Sequence, residues 1–237
     1  MQDKYLQFAE KDSETTELYI YGDIRRGSIL EKIYKYTDEN RTGAVDFKEK
    51  LLSVTTPKIT VRINSNGGSV SEGLAIYNLL KTCRKEITTI CDGYAASVAS
   101  VIYCAGSTRI QPKTALLMIH NAWTYGDAGN ANHFRKLADE LEKITQPSVE
   151  AYKQVSNLSE ERIKELMDNE SWITADEAYE WGFTTEIGQN DVNQSIGSDY
   201  MYNLVLKNRE LEKEIIELKK NSSQPELSGW DRFFNKK

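Results

Sequence analysis

The sequence contains few histidines and cysteines, and each shortage excludes a kind of site. Its 237 residues include two histidines and three cysteines. The cysteines, Cys83, Cys91 and Cys104, lack the close spacings that are typical of a zinc site. An odd number of cysteines in apolar surroundings favours plain buried thiols in a reducing compartment over a disulfide framework. We therefore predict no metal site, no disulfide and no other cofactor.

Long apolar runs and an N-terminal targeting signal are also missing. No stretch approaches the roughly 18 consecutive apolar residues of a membrane span. The first residues, MQDKYLQFAEKDSE, lack the basic region and apolar core of a signal peptide. Thirty basic residues against 36 acidic ones give a net charge of −6, which argues against nucleic-acid binding. We expect a cytoplasmic protein that binds neither membrane nor nucleic acid.

The first two thirds of the chain alternate between strand and helix patterns. Apolar and β-branched runs predict strands at residues 17–24, 59–64, 87–91 and 115–119. A glycine pair, Gly67-Gly68, follows the second strand and opens a helix. A tight turn of small residues, 92–96, follows the third strand and leads into an apolar helix over 97–105. This order predicts right-handed βαβ units and a mostly parallel sheet.

The last third is predicted to be helical and then to change character. The pattern favours a long helix over 130–155 that is interrupted at Pro147, and a second helix capped by Ser159. Thr174 begins a capping box that opens a third helix.

Three segments follow from these patterns. Residues 1–15 are predicted to be a flexible N-terminal segment, 16–188 a single domain, and 189–237 a linker, an amphipathic helix and an aromatic tail. The tail is equally well interpreted as a docking peptide or as a segment that folds back onto the body.

One serine and one histidine stand where acyl-transfer chemistry needs them. Ser97 follows a run of small residues and begins a helix, beside the unpaired N–H of Val98. Gly67-Gly68 lies at a second strand-to-helix turn, where a backbone N–H can approach a ligand closely. His120 closes an apolar strand, whereas His133 is most simply a surface residue. Taken singly, Ser97 also fits an ordinary helix N-cap and His120 a structural histidine; the ordered set is the specific signal.

The motifs of this set stand in the order of a known family. They are Ile63-Asn64-Ser65-Asn66-Gly67-Gly68, Gly93-Tyr94-Ala95-Ala96-Ser97-Val98-Ala99, Met118-Ile119-His120 and Trp172-Ile173-Thr174-Ala175-Asp176-Glu177-Ala178. Over roughly residues 16–188 the chain resembles the ClpP family of self-compartmentalised serine proteases. It is most similar to the phage and prophage branch of head maturation, or prohead, proteases.

The resemblance implies the roles of the candidate residues. Ser97 would be the nucleophile, His120 the general base, and the N–H groups of Gly68 and Val98 the oxyanion hole. The family's acidic position falls on Glu170, with Asp168 as the alternative. The implied substrate-binding wall consists of Gly67, Ser69, Val70, Ala122 and Trp123.

The resemblance also implies the fold and the partners. The fold would be α/β, with ClpP/crotonase-like stacked ββα units, a mostly parallel sheet and a protruding strand-helix handle. The handle would interleave subunits of a homo-oligomeric ring or of stacked rings, which would take protein or peptide substrates.

Three departures from the housekeeping subunit argue against coupling to a Clp ATPase. Asn66 replaces the usual proline, residues 1–16 lack a match to the axial-loop segment, and the tail after Ser195 is foreign to that subunit. We therefore predict a serine endopeptidase that trims scaffold and capsid protein during phage head assembly in the bacterial cytoplasm, with capsid, scaffold or portal protein as partners. The alternatives are a proteolytic subunit of an ATP-dependent Clp-type protease, a catalytically inactive ring-forming assembly protein, and a crotonase-type acyl-CoA enzyme.

Overall fold

A computed structural model describes residues 8–10, 12–28, 41–126 and 128–188 of the chain. All of them lie in the compact unit Met1–Asn190. The predicted amphipathic helix and aromatic tail lie outside the described residues. Within the described ranges, no helix is both long and apolar enough to cross a membrane.

The described chain alternates between strands and helices. The strands are β1 (Phe8–Glu10), β2 (Thr15–Tyr21), β3 (Asp23–Ile24), β4 (Arg41–Thr42), β5 (Lys58–Ser65), β6 (Glu86–Ala96), β7 (Thr108–Pro112), β8 (Leu116–Ile119), β9 (Ser171–Ile173) and β10 (Glu186–Gly188). The helices are α1 (Ala44–Ser53), α2 (Val70–Thr82), α3 (Val98–Tyr103), α4 (Ala131–Lys153), α5 (Glu160–Asp168) and α6 (Ala175–Glu180).

The predicted mostly parallel sheet is confirmed. Its path runs β1-β2-β5-β6-β7-β10, and β8 joins the carboxyl end of β6 and pairs in turn with β9. The pairs β2–β5, β5–β6, β6–β7, β6–β8 and β7–β10 are parallel. Only β1–β2 and β8–β9 are antiparallel among the described strands of this sheet. On one side β6 pairs first with β7 and then with β8. Its second half therefore lies beside β8, the strand that leads to His120.

The alternation of apolar residues along β5 builds the centre of the core. Ile59, Val61 and Ile63 are at most 1% exposed, while the residues between them face the other side of the sheet. Two of the predicted helix starts are confirmed, because the side chain of Ser159 caps α5 and Thr174 forms a complete capping box at α6. Cys91 and Cys104 are buried free thiols, and Cys83 is half-buried.

The tight turn predicted over residues 92–96 is wrong, because β6 continues through it to Ala96. The register with β5 shifts there: Ile63 pairs with Cys91, but Ser65 pairs with Ala95. Three residues of β6 therefore lie opposite Asn64 alone, which is a bulge. Asn64 Oδ1 accepts the N–H of Tyr94 at 3.2 Å and occupies the space that a side chain at Gly93 would need.

The interruption predicted at Pro147 is also wrong, since α4 is continuous from Ala131 to Lys153. A proline costs one backbone hydrogen bond inside a helix. Burial of the following turn offsets that loss, because Val149 and Tyr152 are at most 1% exposed. The first half of α4 is largely exposed, so only its carboxyl half packs on the body.

Short strands that carry weak sequence signals were not predicted. They are β1, β4, β7, β9 and β10; β1 lies within the segment predicted to be flexible. Buried Arg109 of β7 links this part of the chain to the loop before β10. Its guanidinium donates to the backbone carbonyls of Phe183, Gly106 and Gly182 at 2.7, 2.9 and 3.1 Å.

Candidate active site

Ser97 lies in a strained backbone conformation between β6 and α3. Its φ of 56° and ψ of −133° are unusual for a residue with a side chain. The N–H of Ser97 donates to the carbonyl of Met118 at 2.9 Å, which ties it to β8. A Cβ on Gly67 would lie 2.6 Å from the Cβ of Ser97, so only glycine fits beside it.

His120 follows β8 directly and lies against Ser97. Its Nε2 is 2.8 Å from Ser97 Oγ, within hydrogen-bonding distance. The parallel pairing of Ala96 with Met118 aligns the ends of β6 and β8 and so brings the two side chains together. Burial lowers the pKa of His120, while the charge of Glu170 raises it. The net effect is a lowered pKa, which favours the neutral imidazole that can accept the hydroxyl proton.

The two candidate acidic residues have different surroundings. Asp168 Oδ1 accepts a hydrogen bond from Asn121 Nδ2 at 2.7 Å. Glu170 immediately precedes β9 in the left-handed region, with φ of 48°, and its carboxylate is the charge that raises the pKa of His120. Among the described residues, neither carboxylate is hydrogen bonded to His120. The charge of Glu170 and its position before β9 thus favour it over Asp168 as the acidic residue, acting on His120 without a hydrogen bond.

Two backbone N–H groups lie at the turns that flank Ser97. Val98 is the first residue of α3, where the N–H has no acceptor within its own helix. Gly68 forms a parallel bridge with Ile24, in which Ile24 bonds to Gly67 and Ser69. The N–H of Gly68 itself therefore points away from that bridge. Both donors are available for the oxygen of an acyl group bound at Ser97.

A buried pair of hydroxyls supports the carbonyl of Ser97. Ser100 Oγ donates to that carbonyl at 2.6 Å, and Tyr152 OH lies 2.7 Å from Ser100 Oγ. Since Ser100 uses its proton on the carbonyl, Tyr152 is the donor of the second bond. Burial raises the pKa of the Tyr152 phenol, which keeps it protonated. Neither residue was predicted from the sequence, where the only signal was one serine inside the apolar run 98–105.

The remaining predicted wall residues flank the same two turns. Ser69 and Val70 follow Gly68 at the start of α2, and Ser69 N–H is anchored on the carbonyl of Ile24 at 2.7 Å. Ala122 and Trp123 follow His120 in a segment that forms neither helix nor strand. Trp123 is 65% exposed. Their role in substrate binding stays a prediction.

His133 is an exposed residue, as its position in a polar-faced helix predicted. His133 lies on the exposed first half of α4, in edge contact with Phe134, away from β8. Within the described ranges, no three His, Cys, Asp or Glu side chains form a cluster that could hold a metal ion.

The chain matches a protein-family model over most of its length. The model is described as "Clp protease" and matches residues 13–191.

Individual relatives and a solved structure agree with this match. The chain is 35% identical to ATP-dependent Clp protease proteolytic subunit 3 of Rhodococcus jostii, over 68% of this chain and 86% of that protein. It is 33% identical to proteolytic subunit 1 of the same enzyme from Chlamydia abortus, over 68% and 84%. A ClpP1 mutant structure from Listeria monocytogenes superposes with a TM-score of 0.58 at 25% identity, covering 74% of this chain and 92% of that one.

Proposed function

The chain belongs to the Clp protease family, and from this premise we propose that it is a serine endopeptidase that works as a Clp-type proteolytic subunit. The observation that carries the proposal is the 2.8 Å separation of Ser97 Oγ and His120 Nε2 beside two backbone donors. A nucleophile, a base and an oxyanion site close to one another are the parts that acyl transfer requires.

In the proposed mechanism, His120 takes the proton of Ser97 as the hydroxyl attacks the scissile carbonyl. The N–H groups of Gly68 and Val98 bind the oxyanion of the tetrahedral intermediate. His120 then passes its proton to the leaving amine, and water, activated by the same base, hydrolyses the acyl-enzyme. Glu170 stabilises the imidazolium that forms in both steps.

A covalent probe tests the proposal directly. A fluorophosphonate should phosphonylate Ser97 in the folded protein, as identified by peptide mass spectrometry. Ser97→Ala should remove the label, and His120→Ala should slow it by about 10²–10⁴-fold, the usual contribution of a positioned general base. Absence of labelling in a folded, assembled sample would refute the proposal. It would favour an inactive assembly protein or, if CoA thioesters bind, a crotonase-type enzyme.

The relatives favour the Clp-type subunit over the phage head maturation protease. Those named above are all proteolytic subunits of an ATP-dependent protease. We therefore propose a homo-oligomeric, ring-forming subunit that receives protein substrates from a Clp ATPase in the bacterial cytoplasm. Degradation of a protein that carries a degradation tag should then require both ATP and such an ATPase.

Two features keep the head maturation role as a second candidate. Asn66 stands between Ser65 and the glycine pair, where the housekeeping subunit usually has proline, and the chain continues past residue 191, where the family match ends. Cleavage of a co-expressed capsid or scaffold protein without any ATPase, lost in Ser97→Ala, would favour this role.

A further inference from the structure

One buried amide touches the strands that lead to two of the proposed triad residues. Gln111 of β7 is fully buried. Its Nε2 donates to the carbonyl of Ala115 at 3.0 Å and to that of Ile173 at 3.3 Å. Ala115 immediately precedes β8, which ends beside His120, and Ile173 is the last residue of β9, which begins beside Glu170. One side chain therefore holds both strands of the β8–β9 pair.

The other end of the same amide is connected to the helix of the nucleophile. Gln111 Oε1 accepts from Thr184 Oγ1 at 3.0 Å, and Thr184 Oγ1 lies 2.8 Å from Tyr103 OH. Tyr103 is the last residue of α3, the helix that Ser97 begins. The chain of bonds thus runs from the end of α3 to the two strands that carry His120 and Glu170.

The direction of every bond in this network is determined. The carbonyls of Ala115 and Ile173 only accept, so the amide must turn its Nε2 toward them and its Oε1 toward Thr184. Thr184 then uses its one proton on Gln111, and Tyr103 must be the donor to Thr184. Burial raises the pKa of Tyr103, so this phenol retains its proton. A fully satisfied buried network of this kind is rigid and specifies a single arrangement.

We propose that Gln111 is a positioning residue of the active site, which fixes the β8–β9 pair against α3 and so sets the geometry of Ser97, His120 and Glu170. The inference rests on the function proposed above. Gln111 acts at a distance, because five residues of extended chain, about 17 Å at ~3.3 Å per residue, separate Ala115 from His120. Misplacement of a catalytic group by about 1 Å can cost 10²-fold in rate.

The test compares two variants by the rate and pH dependence of fluorophosphonate labelling at Ser97. Gln111→Met keeps the length of the side chain but removes every bond of the amide. It should lower the plateau rate about tenfold or more. It should also move the midpoint of the acidic limb to lower pH, because a displaced Glu170 raises the pKa of His120 less. Tyr103→Phe releases only α3, so it should lower the plateau a few-fold and leave the midpoint unchanged.

Thr16→Val is the matched control. It removes a buried hydroxyl bond of 2.7 Å between Thr16 and Thr56. Thr16 lies in β2, which β5 and β6 separate from β7 in the sheet order. It should reduce the unfolding midpoint to a similar extent and leave both the labelling rate and its pH midpoint unchanged. If Gln111→Met does not fold, the Tyr103→Phe rate decides.

The outcomes separate the two proposals. No labelling of the unmodified chain refutes the serine protease itself. Normal labelling of the unmodified chain, with unchanged rates and midpoints in Gln111→Met and Tyr103→Phe, overturns the positioning role alone. Equal loss of rate in the Thr16→Val control also overturns it, since general destabilisation would then explain the effect.

Discussion

Adding one methyl group to Gly73 should both destabilise the fold and slow the active site. Gly73 is buried inside α2, and a Cβ there would lie 2.1 and 2.8 Å from the two methyl carbons of Val98. The backbone N–H of Val98 is the proposed oxyanion donor. Displacement of the Val98 side chain should therefore also displace this N–H at the turn that follows Ser97.

The magnitude follows from two opposing effects. Gly→Ala in an unobstructed helix stabilises it by about 0.5–1 kcal/mol. Overpacking a rigid core costs about 1–3 kcal/mol. At separations this short the second effect wins, and Gly73→Ala should lower the free energy of unfolding by about 1–2 kcal/mol.

The compensating variant makes this argument specific. Val98→Ala removes the two methyl groups that clash and by itself should cost about 2 kcal/mol through lost burial and a cavity. In the double variant, the new methyl of residue 73 fills that space. The coupling free energy between the two changes should therefore be about 2 kcal/mol or more in the stabilising direction.

The measurements are denaturant unfolding of all four proteins at one protein concentration, and the rate of fluorophosphonate labelling at Ser97. Labelling should slow in Gly73→Ala and recover in the double variant, which keeps the N–H of residue 98. A stabilised Gly73→Ala protein, or strictly additive free energies, would falsify the claim that the two residues are in contact.

Three other changes test separate parts of the structure. Glu170→Gln removes the charge that raises the pKa of His120, so the acidic limb of the labelling rate should move to lower pH. Asp168→Asn should leave the midpoint of that limb in place. The reverse result would assign the acidic role to Asp168. Glycine adopts the left-handed conformation of residue 170 without strain, so Glu170→Gly should raise the free energy of unfolding by about 1 kcal/mol. The same variant should slow fluorophosphonate labelling, because it lacks the carboxylate. Denaturant unfolding and labelling kinetics measure the two effects. Arg109→Lys loses the guanidinium that donates to three backbone carbonyls and should lower the free energy of unfolding by about 2–4 kcal/mol. A loss below about 1 kcal/mol would contradict a structural role for these three hydrogen bonds.

Local patterns in the sequence predicted the elements with strong periodicity. The βαβ order, the capping of α5 and α6, and the helices after the glycine pair and after Ser97 all depend on spacing within a few residues. The bulge in β6 was missed because it requires Asn64 of another strand to fill it. Such a contact leaves no periodic signal in either segment.

The buried hydrogen bonds around the site could not be predicted from the sequence for the same reason. Gln111 and Thr184 are 73 positions apart, and neither belongs to a recognisable motif. Ser100 and Tyr152 are separated by 52 positions. Buried polar pairs of this kind are specified by tertiary contact, so a single sequence indicates them only as isolated polar residues in apolar surroundings.

Backbone strain provides an independent argument about which residues form the site. Among the described residues that are not glycine, only Ser97 and Glu170 have a positive φ, and they are two of the three proposed triad members. Each such conformation costs on the order of 1–3 kcal/mol and persists where the surroundings enforce it. The N–H and carbonyl of Ser97 are both hydrogen bonded, to Met118 and Ser100, which enforces its conformation. Glu170 follows the C-cap Asn169 of α5, a position where a left-handed residue commonly ends a helix, so its conformation has a local cause. Ser97 has no such local cause, and its strain therefore marks the nucleophile turn specifically.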